Sequence, residues 1–337
     1  YTHEGRAADH ISAMTWIHRP QYDISDIYLK NGNDIFYQSS GPDPMEMHLF
    51  WFNEKFHNID EAVCLSCNDS NCLYNLFLVA PNAKYVQRMC HGPGIFRATI
   101  YELKRTKETQ DSYSYKLEFV KHLHELPEDR DEFKKFKMPR VEFHKIVLRA
   151  NTSNQLTVNA KTYKPDWRDY MATRLSTIVI MIDGRGTGGR GRAFETSIYK
   201  HLGDYEISDQ LEAVKVFAQN NKFVNQSQIG AFGWSYGGFT VGHLLGHPRN
   251  DIIRCGVSVA PVTNFKLYDT AYTERYLGLY LQNTDKYEKT NILPLVENMK
   301  GKSYFLIHGT ADENVHLTNS ALLLKELVRY NIDFDVM

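Results

Sequence analysis

Two different patterns of apolar residues divide the chain near residue 140. Before that point, short alternating or aromatic-rich runs are separated by turn sequences, which is typical of antiparallel strands. After it, continuous β-branched runs alternate with stretches whose apolar residues recur at helical spacing. Such alternation indicates a mostly parallel sheet flanked by helices. The sequence therefore predicts an all-β unit over residues 1–140 and an α/β unit over residues 141–337.

The first unit contains several short predicted strands at a spacing that a sandwich, a barrel or propeller blades would all satisfy. No internal repeat is clear enough to choose among these three architectures. The charged stretch 104–140 is predicted to be a solvated surface connection. The strands are expected at residues 26–30, 34–37, 48–52, 75–80 and 84–88.

The first strand predicted in the second unit is Thr177–Ile182, a β-branched run expected to be buried on both faces. Helices are expected over 207–217, 241–245 and 321–328. Four further strands are predicted at residues 229–233, 255–260, 304–308 and 334–337.

The strongest chemical signal is the sequence from Gly233 to Gly237, which lies between a predicted strand and a predicted helix. It matches the G-x-S-x-G nucleophile elbow, in which a tight turn lifts the serine hydroxyl above the sheet. The turn needs glycine at its flanks to avoid side-chain clashes. Ser235 is therefore the candidate nucleophile, and the backbone N–H of Tyr236 is expected to face the developing oxyanion. The alternative is a chance glycine-rich turn with a buried serine.

A serine nucleophile needs a base and an acid that orients the base, in the chain order serine, acid, histidine in this fold. Asp312 follows a predicted strand and is the candidate acid, with Glu313 as the second choice and helix capping as the non-catalytic alternative. Only His316 follows Asp312, four residues later in the same loop. We therefore expect the base to lie beyond Met337, in a longer natural chain.

Composition narrows the possible partners. The net charge of −1 gives no electrostatic reason to expect nucleic acid or an anionic membrane surface. No run approaches the roughly 18 apolar residues that span a bilayer. The chain begins at Tyr1 without a signal peptide, so we expect its start to be internal to a longer protein.

No cofactor or metal is expected. The Gly186–Gly191 segment matches G-x-G-x-x-G, but a dinucleotide site would also need an acidic residue at a later strand end. Glu206 and Asp209 stand near the right distance but fall in a predicted helix, so a flexible turn is the better interpretation.

Four cysteines, Cys64, Cys67, Cys72 and Cys90, are close together in the first unit. Disulfides in an exported protein, a zinc site that begins at Cys64 and Cys67, and free thiols are all possible, and export favours disulfides. Asn-X-Ser sequons at Asn68, Asn151 and Asn225 are compatible with export and glycosylation.

Six segments extend across most of residues 140–337: Asp183–Gly188, Gly203–Gln210, Gly233–Gly238, Val259–Val262, Tyr272–Gly278 and His308–His316, with Cys64–Cys67, Cys72 and Cys90–Gly94 upstream. Together they resemble the dipeptidyl peptidase IV family of prolyl-oligopeptidase-type serine peptidases. The resemblance implies an α/β-hydrolase domain preceded by the C-terminal part of a β-propeller. It also implies Cys64–Cys67 and Cys72–Cys90 disulfides and leaves Cys255 unpaired within this chain.

The resemblance further implies a serine exopeptidase that releases N-terminal dipeptides with proline or alanine in second position. Ser235 matches the nucleophile, Asp312 the triad acid, and Tyr236 the oxyanion-hole amide and one pocket wall. Asn314 matches a residue that binds the substrate carbonyl. The rest of the apolar pocket matches Val262, Tyr268, Tyr272 and Val315.

Three departures from the family pattern are expected to leave the 337-residue chain inactive by itself. The triad histidine is absent, and the glutamates that clamp the substrate amine should lie upstream of Tyr1. Between Pro165 and Asp166 about twenty residues are missing relative to the family, as a gap or a deletion, which would leave neighbouring strands unpaired.

Peptide substrates, a homodimer and an upstream membrane anchor are the partners and contacts that the family implies. The expected location is the cell membrane, as a single-pass type II protein with an extracellular catalytic domain, or secretion. A non-catalytic dipeptidyl-peptidase-like binding glycoprotein is the alternative function, although such proteins typically lose the serine. A lipase or esterase on the same fold would need a different pocket.

Overall fold

The computed structural model describes residues 22–55, 57–58, 61–92, 96–107, 112–125, 144–148, 155–158 and 167–337. These residues form two compact units. The first holds the described residues up to 125 together with 167–179 and 188–192, and the second holds 144–148, 155–158, 180–187 and 193–337. Within the described residues, no helix is both long and apolar enough to cross a membrane.

The described strands of the first unit form two four-stranded antiparallel sheets in which consecutive strands are neighbours. Four-stranded sheets of this kind are the blades of β-propellers. One sheet contains β1 (Ile24–Asn31), β2 (Asp34–Ser40), β3 (Met47–Asn53) and β4 (Val63–Cys64); the other contains β5 (Asn75–Val79), β6 (Tyr85–Cys90), β7 (Arg97–Lys107) and β8 (Tyr113–Glu125).

Aromatic residues from both sheets form the core of the first unit, with Phe36, Trp51 and Phe77 all at most 2% exposed. The carboxylate of Asp34 is buried there and accepts hydrogen bonds from the Trp51 indole at 2.9 Å and from the Tyr113 hydroxyl. Burying a carboxylate costs less free energy when hydrogen-bond donors surround it in this way.

The expectation of a surface connection over 104–140 is wrong for its first part, because β7 covers residues 97–107 and β8 covers residues 113–125. Tyr113 and Tyr115 pack against the core, whereas Lys104 and Glu118 pair across the exposed face at 2.8 Å. Charges that alternate with apolar residues are the pattern of a half-buried strand. The prediction followed the high content of charged residues in this stretch and not their alternation. Residues 126–140 lie outside the described residues.

The second unit is built on a parallel sheet with the strand order β11-β12-β13-β14. These strands are β11 (Ile229–Trp234), β12 (Ile253–Val259), β13 (Ser303–Ile307) and β14 (Phe334–Val336), and a separate antiparallel pair comprises β9 (His144–Val147) and β10 (Gln155–Val158).

The described helices are α1 (Trp167–Arg174) in the first unit, α2 (Arg192–Glu195), α3 (Tyr205–Asn220), α4 (Tyr236–Gly246), α5 (Thr270–Leu277), α6 (Thr284–Lys289) and α7 (Thr318–Arg329). Short 3₁₀ helices span Thr196–Ile198, Phe265–Leu267, Tyr280–Gln282 and Leu293–Met299. Apolar faces of α3, α4 and α7 supply fully buried residues such as Ile207, Phe239 and Leu323 to one continuous core.

The prediction of a doubly buried strand at Thr177–Ile182 is wrong. This run lies outside every strand, and Ile178 and Val179 are 48% and 38% exposed. A strand buried on both faces requires hydrogen-bonded neighbours in the sheet. Among the described strands, β11 ends the sheet on one side without such a neighbour. The junction of Pro165 and Asp166, where a missing segment is expected, lies outside the described residues.

Candidate active site

Ser235 occupies the turn between β11 and α4 with φ 57° and ψ −115°, a backbone conformation that non-glycine residues rarely adopt. Its amide donates to the carbonyl of Val259 at 2.8 Å, which ties the turn to the end of β12. A Cβ on Gly233 would stand 2.1 Å from the Gly237 carbonyl oxygen. Only glycine therefore allows this close passage of the chain, and the sequence folds here into a nucleophile elbow.

Ser235 and Asp312 stand at the same edge of the parallel sheet. Ser235 follows the last residue of β11, and Asp312 lies in the loop that follows β13. The Ala260 amide donates to Ile307 at 2.7 Å, which joins the ends of β12 and β13 at this edge. The carboxyl ends of parallel strands are where α/β sheets bind their ligands.

The loop after β13 holds the Asp312 carboxylate through two backbone donors. Its Oδ1 accepts the Asn314 amide at 2.9 Å and the Val315 amide at 3.0 Å. Its Oδ2 lies 3.6 Å from Nε2 of His308. The described contacts thus join Asp312 to His308 and not to the exposed His316. Glu313 is also exposed.

His308 anchors this loop and is a residue that the sequence analysis did not single out. Its Nε2 lies 2.7 Å from the Val315 carbonyl, to which it can donate, and its Nδ1 lies 2.6 Å from the Ser320 hydroxyl. Both ring nitrogens are therefore engaged, and its side chain is almost fully buried. These contacts suit a histidine that fixes the acid loop better than a general base, which needs a nitrogen free to accept a proton.

Tyr236 is the first residue of α4, so its backbone N–H is one of the unpaired donors at a helix start. Its hydroxyl donates to Oε1 of Glu206 at 2.7 Å. Burial, followed by the nearby Glu206 charge, raises the pKa of the Tyr236 phenol well above its ordinary value. The ring lies 5.1 Å from Phe239 and 6.1 Å from Phe265. Tyr236 is therefore fixed at its ring and at its hydroxyl.

The residues of the expected pocket meet at the core of the second unit, where Val262 and Val315 are buried and Tyr236, Tyr268 and Tyr272 pack against the same cluster. The rings of Tyr268 and Tyr272 are 5.3 Å apart, and the Tyr268 hydroxyl donates to Oδ1 of Asn314 at 2.9 Å. Val262 and Val315 are 2% and 1% exposed. Burial raises the pKa of Tyr272 to about 12, so its ring is neutral near pH 7.

Phe265 belongs to this cluster and was missed by the sequence analysis. It stacks on Tyr272 at 6.1 Å and meets Tyr268 edge-on at 6.2 Å. An aromatic residue placed between Val262 and Tyr268 was the available signal. The polar edge of the cluster carries Asn314, which accepts the Tyr268 hydrogen bond.

The glycine-rich segment Gly186–Gly191 forms turns, with positive φ at Gly186, Gly189 and Gly191, before the four-residue α2. The Arg185 guanidinium forms two hydrogen bonds to the Asp209 carboxylate, from Nη2 to Oδ1 at 2.7 Å and from Nε to Oδ2 at 2.9 Å. This bidentate pair occupies one of the acids that a dinucleotide site would have required.

The cysteines form Cys64–Cys67 and Cys72–Cys90 disulfides, the two pairs implied by the resemblance, and Cys255 is free and exposed. His48 places a ring nitrogen within 4.8 Å of the Cys64 and Cys67 sulfurs, a possible metal-ligand group. Disulfide sulfurs are not thiolates, and the thiolate is the metal-binding form.

Of the three sequons, Asn68 and Asn225 are exposed, and Asn151 lies outside the described residues. Exposure is what a glycan acceptor requires.

Comparison with known proteins identifies the relatives of this chain. The prolyl oligopeptidase family matches residues 163–337. Dipeptidyl peptidase 4 of Bos taurus is 32% identical over 350 residues, which covers 96% of this chain and 44% of that protein. Prolyl endopeptidase FAP of Mus musculus is 31% identical over 293 residues, covering 81% of this chain and 38% of that protein. The chain thus spans less than half the length of these relatives.

The crystal structure of Porphyromonas gingivalis dipeptidyl peptidase 4 is similar in fold, with a TM-score of 0.81 at 24% identity. The similarity covers 95% of this chain and 46% of that one. The expected fold class, an α/β-hydrolase domain preceded by part of a β-propeller, is confirmed. With an elbow at Ser235 and a family match over more than half of its length, the chain belongs to the prolyl oligopeptidase family of serine peptidases, in its dipeptidyl peptidase IV group.

Proposed function

We propose that this protein is a serine exopeptidase that releases N-terminal dipeptides with proline or alanine in second position. The observation that carries the proposal is the strained Ser235 at the elbow, beside Tyr236 and the aromatic cluster. Strained non-glycine residues concentrate at functional sites, where the surrounding structure maintains them.

In the proposed reaction, the Ser235 hydroxyl attacks the scissile carbonyl and gives its proton to a histidine base, while the Tyr236 N–H stabilises the oxyanion. Collapse of this intermediate breaks the peptide C–N bond as the base returns the proton to the leaving amine, and water then releases the dipeptide from Ser235. Asp312, held by two backbone donors, would orient a histidine base. That base is proposed to lie outside these 337 residues. The cluster around Tyr268 and Tyr272 would enclose the proline ring, since a compact, apolar ring packs well against aromatic walls.

The test compares the full-length protein with its Ser235→Ala variant on glycyl-prolyl p-nitroanilide. We expect wild-type hydrolysis and a loss of several orders of magnitude in kcat for the variant, because nucleophile and base act as a unit. The variant should keep the wild-type unfolding temperature. Equal rates for the two proteins would refute Ser235 as nucleophile.

An N-acylated form of the same substrate separates exopeptidase from endopeptidase activity, which the name of the FAP relative makes the natural comparison. An exopeptidase that recognises a free α-amine should leave the acylated substrate intact. Comparable cleavage of both substrates would instead identify an endopeptidase.

The 337-residue chain produced alone should not hydrolyse either substrate. It contains Ser235 and Asp312, but the only later histidine is His316, which is exposed and not in contact with Asp312 among the described residues. If the isolated chain is active and His316→Ala stops it, the proposed position of the base is wrong.

The homodimer, the upstream anchor and the location at the cell membrane or in secretions remain proposals. The two disulfides and the exposed sequon residues Asn68 and Asn225 support export. Mass spectrometry of the protein after glycosidase treatment would test the glycans, and a mass unchanged by the treatment would reject them.

A further inference from the structure

A buried carboxyl group lies behind the elbow and takes no part in the mechanism above. Glu206 is in the first turn of α3 and is 7% exposed. Its Oε1 accepts a hydrogen bond from the Tyr236 hydroxyl at 2.7 Å and another from the Gly203 amide. One carboxyl oxygen therefore links the start of α3 to the residue that follows the nucleophile.

The other oxygen of the same group is unusual. Oε2 of Glu206 is buried without a hydrogen-bond partner among the described residues. An unsatisfied buried polar atom costs stability, and each such atom in a native protein requires an explanation. Burial also raises the pKa of Glu206, with hydrogen bonds from the Tyr236 side chain and from the backbone of Gly203, Glu206 and Asp204 acting in the opposite direction. An apolar residue would avoid these costs, so packing alone does not explain a carboxyl group here.

We propose that Glu206 is a positioning residue that holds Tyr236, so that the Tyr236 amide and ring keep the geometry that the peptidase reaction needs. This inference rests on the proposed function. Glu206 contacts the substrate in no step; it acts through the Tyr236 phenol.

The contacts around Tyr236 explain why a second anchor matters. Phe239 and Phe265 contact its ring at centroid distances of 5.1 and 6.1 Å, but such apolar contacts do not prevent the Tyr236 ring from sliding or tilting. The hydrogen bond to Glu206 fixes the far end of the ring. With both ends fixed, the ring keeps its place as a pocket wall, and the backbone N–H on the same residue stays aligned. Small misplacements of catalytic groups cause large losses in rate.

The competing explanation is structural: Glu206 would only satisfy the Gly203 amide and stabilise the turn before α3. Gly203 has a φ of +80°, and a Cβ there would stand 3.2 Å from His243, so this turn is tightly packed. A purely structural role predicts a lower unfolding temperature for any substitution and an unchanged kcat for the enzyme that remains folded.

The experiment measures kcat and KM on glycyl-prolyl p-nitroanilide for the full-length protein and four variants: Glu206→Gln, Glu206→Ala, Tyr236→Phe and the double variant Glu206→Ala/Tyr236→Phe. Titration with a fluorophosphonate counts the active sites, so that unfolded protein does not affect kcat. Glu297→Gln is the matched control, because it removes an exposed carboxylate that pairs only with Lys300 among the described contacts.

Glu206→Ala should lower kcat about tenfold or more, since misaligning an oxyanion donor approaches the cost of removing one. Glu206→Gln keeps an acceptor oxygen for the Tyr236 hydroxyl and should stay within about threefold of wild type. The double variant should be no slower than Tyr236→Phe alone, because residues that act through one contact are not additive. Glu297→Gln should match wild type.

The positioning role is overturned if Glu206→Ala retains wild-type kcat per titrated site, or if the losses in the double variant multiply. Those results leave the proposed function intact, because the wild type still hydrolyses the substrate. A full-length wild type that neither hydrolyses the substrate nor reacts with the fluorophosphonate overturns the proposed function and the positioning role together.

Discussion

At the scale of single residues, the elbow depends on close contacts that few side chains permit. Gly233 passes so near the Gly237 carbonyl that a methyl group cannot fit, whereas a Cβ on Gly237 itself would meet no atom within 4 Å. Two glycines of the same motif therefore have different reasons to be there. The first is required by the fold of the turn, and the second leaves open space beside the nucleophile.

Gly233→Ala should destabilise the protein by about 2 kcal/mol or more, because the added carbon overlaps backbone atoms that cannot move aside. Gly237→Ala should change stability by less than about 1 kcal/mol, since a helix favours alanine over glycine. Denaturant unfolding of both variants measures the difference. Similar losses for the two would contradict the geometry of the elbow.

Single residues were predicted best where the geometry of the backbone determines which residue type fits. The G-x-S-x-G pattern located the elbow, because a strand-to-helix turn of this tightness requires glycine at defined positions. Glu206 and Phe265 could not be assigned in this way. Their importance lies in contacts with Tyr236 and Tyr272, residues 30 and 7 positions away along the chain, and such contacts follow from packing.

At the scale of elements, the two disulfides constrain loops of very different length. Cys64–Cys67 spans a separation of 3 residues, and Cys72–Cys90 spans 18 and joins the loop before β5 to the end of β6. Longer closed loops lose more chain entropy in the unfolded state. The second disulfide should therefore be the main covalent contribution to the stability of its sheet.

Replacing Cys72 and Cys90 together by alanine should lower the free energy of unfolding by about 3 kcal/mol, against about 1.5 kcal/mol for Cys64 and Cys67. Thermal unfolding of the two double variants, each compared with wild type under the same oxidising conditions, checks this order. A larger effect from the shorter loop would show that contacts other than the closed loop dominate.

Element prediction from the sequence failed for two physical reasons. Thr177–Ile182 has the composition of a central strand, but a strand also needs a neighbour, and composition does not report whether one is present. For β7 and β8 the error was the opposite one, because two real strands were predicted to be a surface connection. Exposed charges such as Lys104 and Glu118 outweighed the apolar residues on the other face of this strand pair. The helices α3 and α7, whose periodicity is long and regular, were located within a few residues.

At the scale of the whole molecule, each compact unit has its own core and buries a histidine in it. His48 is fully buried in the first unit and His243 in the second. Burial lowers the pKa of each to about 4, for His48 with a further contribution from Arg88. Each imidazole is therefore neutral in the folded protein at pH values where the unfolded chain would protonate it.

His243→Gln should make the unfolding free energy less dependent on pH. The unfolded His243 binds a proton below about pH 6.5 and the folded one only near pH 4, so wild-type stability is full above pH 6.5 and falls between these values. The fall attributable to His243 is about 3 kcal/mol. Glutamine retains an N–H for the Thr290 carbonyl that His243 contacts.

Denaturant unfolding at pH 7.5, 6.0 and 4.5 measures the two slopes, and the difference between wild type and variant removes the contribution of the carboxylates. His48→Gln should show the same direction for the first unit. Parallel pH profiles for wild type and His243→Gln would mean that the buried histidine does not control the acid sensitivity.

The backbone conformation of Ser235 also says something about selection. A glycine at this position would adopt φ 57° and ψ −115° with far less strain, so folding alone favours its replacement. A lineage that no longer used the hydroxyl would gain stability by losing it, and mutation would supply that change readily. Ser235 thus carries a backbone cost that glycine would not, which is expected of a residue whose hydroxyl is needed for chemistry.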